Sequence, residues 1–329
     1  CIDMDNLLFT LNAILPLILP IILGYVLRRL KLFGRVFLNY GNKLVFTVFI
    51  PILIFNNLYM TNFSDINWKI AVFVFAASVG MFLIGWLQAL PFKSMPTRRS
   101  VVHQAAFNSN YAVIGFSLSV MLAGEAAGTQ ASVAAAVIVP TVNLLAVIAF
   151  TMYGNGNGVR PTAKQVVLKI VTNPLIISVV ISFIFMLVRW GLMQAGIDFT
   201  LSDDNFFAQT LDNLAAVAMP LALVVLGGQF SFKAAGHLWK EITIASVMRL
   251  VVLPVICLAV AYAVGMRSAT EIAVIISVCA TPVAVSSSPM AVQMGQDGEL
   301  AGQLIVWTTL FSAVSLFLMI FTCSAIGML

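Results

Sequence analysis

The chain has 329 residues, of which 61% are hydrophobic and only 9% are charged. Soluble globular domains carry about 25% charged residues, so this composition excludes a water-soluble enzyme or nucleic-acid-binding protein. The charged residues also leave long gaps, and about 20 apolar helical residues are enough to cross the ~30 Å hydrocarbon core of a bilayer. The sequence therefore predicts an all-α polytopic membrane protein.

The gaps predict ten transmembrane helices, because backbone in lipid must be hydrogen-bonded within its own segment. The predicted spans cover residues 7–27, 42–59, 69–91, 100–122, 126–153, 168–189, 208–229, 241–264, 270–294 and 299–327. Thirteen of the 17 basic residues lie in odd-numbered loops and three in even-numbered loops. The positive-inside rule places the odd loops in the cytoplasm and both termini outside, in a plasma membrane.

Ten spans divide into two five-helix repeats, residues 1–153 and 170–329, joined by a basic cytoplasmic linker at 154–169. An odd number of helices per repeat inverts the second repeat relative to the first. Pro51 and Pro220 are 169 residues apart, and the same offset takes Asn110 to Cys279, next to a Thr-Pro pair. Inverted repeats with paired broken helices are typical of secondary transporters. Pro51 and Pro220 are predicted to break or kink spans two and seven.

Span four contains polar and flexible residues at membrane depth, namely Asn108, Asn110, Tyr111 and Gly115. Non-helical backbone is tolerated in a membrane only where protein or a cavity satisfies it. We therefore expect a helix break here, with Asn108, Asn110 and Tyr111 donating hydrogen bonds to a substrate carboxylate. A structural alternative stays open, since single polar residues also join helices to one another.

Span nine carries two prolines, Pro282 and Pro289, with hydroxyl-bearing residues around them. Each proline removes a backbone donor and favours a break. If spans four and nine cross, their amino ends favour an anionic group and their carboxyl ends a cation. Thr281, Ser286 and Ser287 would then complete the pocket.

Arg249 is the one charge deep inside a predicted span. An arginine at a helix centre costs about 2.5–3.5 kcal/mol on insertion scales, so it is expected to have a partner. Two interpretations remain open: charge balance for a substrate or coupling ion, and a structural contact with backbone carbonyls. The sequence predicts no metal site, no cofactor and no nucleic-acid partner.

Three segments resemble the auxin efflux carrier family: residues 110–118 with Gly124-Glu125, residues 215–228, and residues 281–295 with 308–312. The resemblance implies ten helices, with helices one, two, six and seven as a scaffold and the others as a mobile transport domain. It also implies an elevator-type step, a pocket role for Asn143 and a possible homodimer through the scaffold helices. Ser117 stands where the family usually has proline, so the sequence favours a helix break in span four less strongly than the family pattern does.

The predicted function is secondary transport of a small organic anion, a carboxylate such as a dicarboxylate or auxin-like acid. Lipid and the carboxylate are the predicted partners. A sodium-coupled bile-acid-type symporter, with sodium near residues 281–289, is the alternative, followed by a channel or membrane sensor. An intramembrane enzyme would need clustered acids, histidines or a Ser-Lys pair within the spans, and the sequence shows none. The direction of flux and the coupling ion stay open.

Overall fold

The computed structural model describes residues 4–59, 67–154, 162–197 and 205–329, with backbone alone at 4–14, 113, 125, 126, 163 and 166. Within these ranges the chain is helical and has no β-strand, and its isolated β-bridge joins Ser109 to Val283. Part of the predicted linker at 154–169 lies outside the described residues, which omit 155–161.

Fourteen helices are described. They are α1 (Met4–Arg29), α2 (Arg35–Tyr59), α3 (Trp68–Gln88), α4 (Pro96–Phe107), α5 (residues 111–123), α6 (Glu125–Met152), α7 (Ala163–Val171), α8 (Pro174–Gln194), α9 (Phe206–Gln229), α10 (Phe232–His237), α11 (Trp239–Ala263), α12 (Ala269–Cys279), α13 (Ser287–Gln293) and α14 (Gly298–Ala325). π-Helical turns occupy Val45–Phe49 in α2, Tyr111–Gly115 at the start of α5 and Met248–Val252 in α11.

Seven of the described helices are long and apolar enough to cross a membrane: α2, α3, α6 from Ala127 onward, α8, α9, α11 and α14. Their outer faces carry large exposed hydrophobic side chains, such as Leu83 at 60% and Val314 at 63% exposure. Such faces are stable in lipid and would aggregate in water. The prediction of an all-α, multi-pass membrane protein is thereby confirmed.

Polar caps fix where several helices begin. The Asn67 side chain accepts hydrogen bonds from the amides of Lys69 and Ile70 at the start of α3. Ser268 and Glu271 form a reciprocal capping box at the start of α12. Each cap satisfies amides that have no partner within the helix, so these helix ends are set by local sequence.

The helices pack in two groups. In the first, α1 packs closely on α9, and α2 packs on α8 and α9. A Cβ at Gly24 would overlap the carbonyl oxygen of Val224, and one at Gly227 would overlap that of Ile21, so only glycine permits this approach. In the second group, α3 packs on α4 and α6, α12 packs on α5, α6 and α11, and α13 packs on α14.

Ion pairs join the ends of different helices, and in each pair the charge pattern predicts both ends on the same side of the membrane. Arg98, at the start of α4, contacts Glu241 of α11 at 3.0 Å and Asp297 before α14 at 3.3 Å. At the opposite end, Lys69 of α3 contacts Glu271 of α12 at 2.8 Å. These contacts hold helices of the second group together at both ends.

Candidate functional site

The fourth and ninth predicted spans are each divided into two shorter helices, and their unwound segments pair with each other. The amide of Asn110 donates to the carbonyl of Pro282 at 2.8 Å, and the amide of Ala284 donates to that of Asn108 at 3.0 Å. The amide of Val283 donates to the Thr308 hydroxyl of α14 at 3.1 Å. Each unwound segment therefore satisfies the backbone of the other inside the membrane, as non-helical backbone there requires.

Local sequence explains both breaks. α4 ends at Phe107, and the backbone of the next residue, Asn108, leaves the helical region at φ −82° and ψ 86°. α12 ends at Cys279, three residues before Pro282, which has no amide hydrogen to continue the helix. The predicted interruption of span four thus lies at residues 108–110, and that of span nine at 280–286.

A cavity of about 50 Å³ lies beside this crossover, at the amino end of α5. On one side it is closed by the crossover and α6, and on the other by α2 and α9, so it lies between the two packing groups. The lining residues are Ile50, Leu53, Ile54, Asn57, Asn108, Ser109, Asn110, Tyr111, Ala112, Ile138, Val139, Val142, Asn143, Met219, Ala284 and Ser286. Its size suits a few water molecules and is well below the ~300 Å³ of a typical small-molecule site.

Asn110 lines this cavity and carries a buried donor without a partner. Its side chain is only 2% exposed, and its amide nitrogen Nδ2 has no hydrogen-bond partner. A buried donor without a partner costs roughly 1–3 kcal/mol, which a ligand acceptor would recover. The adjoining amino end of α5 adds the positive end of a helix dipole. Together these groups favour an acceptor that carries negative charge.

Asn108, Tyr111 and Asn143 also line the cavity, but their donors bond within the protein. The Asn108 Nδ2 donates to Ser287 Oγ at 3.1 Å, and the Tyr111 hydroxyl donates to the carbonyl of Ala131 at 2.8 Å. The Asn143 Nδ2 donates to the carbonyl of Val139, one turn earlier in α6, at 2.7 Å. In this conformation these three residues shape the cavity rather than offer it free donors.

Of the predicted residues in span nine, only Ser286 lines the cavity. Ser287 is fully buried and accepts hydrogen bonds from Asn108 and from Gln104 of α4, the latter at 2.9 Å. Thr281 is also fully buried, and its hydroxyl donates to the carbonyl of Ser277. Ser287 therefore joins the two segments of the crossover, whereas the Thr281 hydroxyl bonds within its own segment.

Arg249 lies at the opposite side of the crossover, where α4 and α12 end. It is fully buried. Its Nε donates to the carbonyl of Thr281 at 2.9 Å, and its two terminal nitrogens donate to those of Ala106 at 3.0 Å and Val278 at 3.2 Å. Helix carboxyl ends leave carbonyls without partners and favour a cation. Two interpretations of Arg249 were open, charge balance and a structural contact, and the structure shows its guanidinium in contact with backbone carbonyls.

The remaining predicted breaks have different local roles. The helices run continuously through Pro51 in α2 and Pro220 in α9, and in α2 the π-helical turn just before Pro51 widens the helix ahead of the ring. Pro289 lies in the first turn of α13. Amides in the first turn make no hydrogen bond within the helix, so a proline there costs no helical hydrogen bond. Gly115 lies within continuous helix, where a Cβ would come within 2.9 Å of the Ser277 carbonyl oxygen. Pro282 lies in an unwound segment, as expected.

Two residues that the sequence did not single out support the site. Gln104 bonds Ser287, and Thr308 bonds the Val283 amide across 25 residues of sequence. Both are polar residues in apolar stretches, and Thr308 also lies in the segment 308–312 that resembles the family. These features could have pointed to them. Nothing in the sequence distinguished them from neighbours such as Thr309, which bonds its own helix.

Comparison with known proteins agrees with this arrangement. Residues 9–320 match the sequence model of a family described as "Membrane transport protein". The chain is also similar to a protein described as "Uncharacterized transporter" from Methanothermobacter thermautotrophicus (strain Delta H). The two are 25% identical over 313 residues, which cover 93% of this chain and 95% of the relative. Because the family match extends over nearly the whole chain and confirms the resemblance, the protein belongs to the membrane transport protein family of the auxin efflux carriers.

Proposed function

We propose that the protein is a secondary transporter for a small organic anion, a carboxylate such as a dicarboxylate or an auxin-like acid. The observation that carries this proposal is the buried Nδ2 of Asn110, which has no hydrogen-bond partner and belongs to a residue that lines the cavity at the crossover. A carboxylate accepts hydrogen bonds strongly and is further favoured by the amino end of α5. None of the described residues that line the cavity carries a negative charge that would repel it.

The proposed architecture is ten transmembrane helices in two inverted five-helix repeats. Scaffold helices one, two, six and seven correspond to α1, α2, α8 and α9, and the remaining transmembrane helices form the transport domain. This division is supported by the two packing groups and by the position of the cavity between them. An elevator-type step would slide the crossover along α2 and α9 and open the cavity to each side in turn.

The sodium-coupled alternative meets a specific obstacle at the crossover. A cation there would need carbonyl oxygens at the ends of α4 and α12, and three of these accept hydrogen bonds from Arg249. The guanidinium thus supplies a fixed positive charge where a coupling cation would bind. We therefore propose transport without sodium, driven by the substrate gradient and the membrane potential.

The setting of the transporter follows from the same charge pattern. We propose that it lies in the plasma membrane with both termini extracytoplasmic, which agrees with the ion pairs that join helix ends on matching sides. A homodimer through the scaffold helices remains part of the proposal.

The test compares the purified protein with two asparagine variants. Malonate, succinate and indole-3-acetate are screened by the rise in melting temperature, then by flux into proteoliposomes with and without sodium. A carboxylate bound only by the folded state raises stability as RT ln(1 + [L]/Kd). Asn110→Ala should weaken binding roughly 10- to 100-fold, since a hydrogen bond to a charged group contributes about 1.5–3 kcal/mol.

Asn42→Ala is the matched control. Asn42 is equally buried at 2% exposure and its Nδ2 also lacks a partner, but it does not line the cavity. The control should bind the carboxylate as the unaltered protein does. Equal affinity in Asn110→Ala and Asn42→Ala, or no response to any carboxylate, would contradict the assigned site. Flux that requires sodium would contradict the coupling proposal alone.

A further inference from the structure

A second cavity, of about 470 Å³, lies where α1 and α9 end, away from the crossover. Four cationic side chains line it: Arg28 and Arg29 at the end of α1, Arg35 at the start of α2, and Lys233 in α10. Its other lining residues are neutral, and no carboxylate lies among them. This volume falls within the 300–1,000 Å³ range of small-molecule sites.

The close contact of α1 with α9 explains why these cations converge. Gly24 and Gly227 let the two helices touch at the edge of the cavity, whose lining includes the next residues, Tyr25 and Gly228. Arg28 follows Gly24 by one turn, and the chain beyond Gly227 leads directly to Lys233. Because the contact is fixed by backbone, the two ends are held side by side.

The four cations have no acidic partner in the described part of the chain. Arg28 donates to the carbonyl of Phe33 at 2.6 Å, and Arg29 donates to the Tyr25 hydroxyl at 2.7 Å. The ion pairs described for this protein involve other residues. Like charges held together repel one another, and a bound anion would relieve that repulsion.

The surroundings of the cavity indicate what kind of anion it takes. Leu30, Leu32 and Val36, which lie in and beside the α1–α2 turn, are 64%, 67% and 69% exposed. Tyr25 lines the cavity, and tyrosine is enriched at the membrane interface. A phospholipid bound in the cavity can cover these neighbouring apolar side chains with its acyl chains, which a soluble anion lacks.

We propose that this cavity binds the phosphodiester headgroup of an anionic phospholipid from the cytoplasmic leaflet. The arginines and the lysine bind the phosphate oxygens, and the acyl chains lie along the exposed apolar residues of the α1–α2 turn. Basic cavities between membrane helices on the cytoplasmic side recognise anionic headgroups in this way. The lipid then links α1, α2 and α10 at the end where α1 and α9 meet.

The test measures melting temperature and intact-protein mass in a neutral detergent, at low ionic strength, with added phosphatidylglycerol, phosphatidylcholine or inorganic phosphate. Phosphatidylglycerol should raise the melting temperature and remain bound in the mass spectrum, and the other two additives should do neither. A triple variant with Arg28→Gln, Arg35→Gln and Lys233→Gln should bind phosphatidylglycerol roughly a hundredfold more weakly, at about fivefold per lost cation.

The matched control neutralises three exposed lysines outside the cavity, Lys93→Gln, Lys169→Gln and Lys240→Gln, and should retain the full response. If the triple variant fails to fold, the double variant Arg35→Gln and Lys233→Gln replaces it, since both of these side chains are exposed. An equal loss in the control would show that net charge alone attracts the lipid. A phosphatidylglycerol response that survives in the cavity variants would overturn the proposal, as would inorganic phosphate acting alone.

Discussion

Replacing Arg249 tests whether the guanidinium holds the crossover together. In Arg249→Met the side chain keeps an unbranched stem but loses the guanidinium and its three hydrogen bonds to the carbonyls of Thr281, Ala106 and Val278. At about 1.5 kcal/mol for each charge-assisted bond, the loss is about 4.5 kcal/mol. Removing the buried charge recovers about 2.5–3.5 kcal/mol of its insertion cost. The expected net destabilisation is therefore about 1–2 kcal/mol, which for a chain of this length lowers the melting temperature by about 1–3 °C.

Arg249→Lys separates charge from geometry. The ammonium keeps the cost of a buried charge, but it cannot reproduce a planar fork that reaches three carbonyls on two half-helices. We therefore expect Arg249→Lys to be no more stable than Arg249→Met. Arg267→Met is the control, because Arg267 is exposed and its removal should change stability by less than about 0.5 kcal/mol.

The assay is thermal unfolding of the purified variants in detergent, followed by carboxylate binding below the melting temperature. Because Arg249 does not line the cavity, the folded Arg249→Met protein should retain binding within a few-fold. The reasoning is refuted if Arg249→Lys restores the stability of the unaltered protein, since charge alone would then suffice. It is also refuted if Arg249→Met melts normally but loses the carboxylate, which would make Arg249 a substrate ligand.

Two further substitutions test the packing of the crossover. Gly115→Ala should lower the melting temperature, because its Cβ would crowd the Ser277 carbonyl, whereas Gly80→Ala meets nothing within 4 Å and should be neutral or stabilising. Equal melting temperatures for these two variants would contradict the close contact. Thr308→Val should cost about 1–3 kcal/mol in thermal unfolding, since it leaves a buried amide of the crossing segment without an acceptor. Thr309→Val removes only a bond within its own helix and should cost clearly less; a comparable loss from both would argue against the role of Thr308.

The helix breaks were predictable in part, because some of their causes are local. Asparagine, glycine and proline disfavour continuous helix, and Asn108, Asn110 and Pro282 do lie at the interruptions. The same residue types at Pro51, Gly115 and Pro220 lie within continuous helix, so local preference alone does not decide where a break occurs.

The 169-residue offset aligned Asn110 with Cys279 as equivalent positions of two repeats, and such an alignment does not say which residues touch. In the structure the amide of Asn110 bonds the carbonyl of Pro282. Pairing between segments so distant in sequence depends on how whole helices cross.

The roles of individual polar side chains were less predictable. Tyr111 and Thr281 have the residue types expected of ligands, yet one donates to the Ala131 carbonyl and the other lies away from the cavity. Whether a buried hydroxyl faces a cavity or a neighbouring backbone depends on helix rotation and on the π-helical turn at Tyr111–Gly115. Neither property follows from the pattern of apolar residues. Arg249 was more predictable. A charge buried inside a span needs a hydrogen-bonding partner, and backbone carbonyls were one of the two interpretations.

The position of Arg249 has a consequence for how voltage would act on the proposed cycle. Its hydrogen-bond partners lie on α3, α4 and α12 and between α12 and α13, all in the proposed transport domain, so its charge would move with the crossover. A singly charged carboxylate in the cavity would neutralise it, and the loaded step would carry no net charge. The empty crossover would return with one positive charge. A membrane potential of 100 mV changes the free energy of moving that charge across the membrane by about 2.3 kcal/mol, which shifts the equilibrium between the two orientations of the empty crossover roughly fiftyfold. An inside-negative potential would therefore draw the empty crossover towards the cytoplasm and favour anion export without a coupling ion.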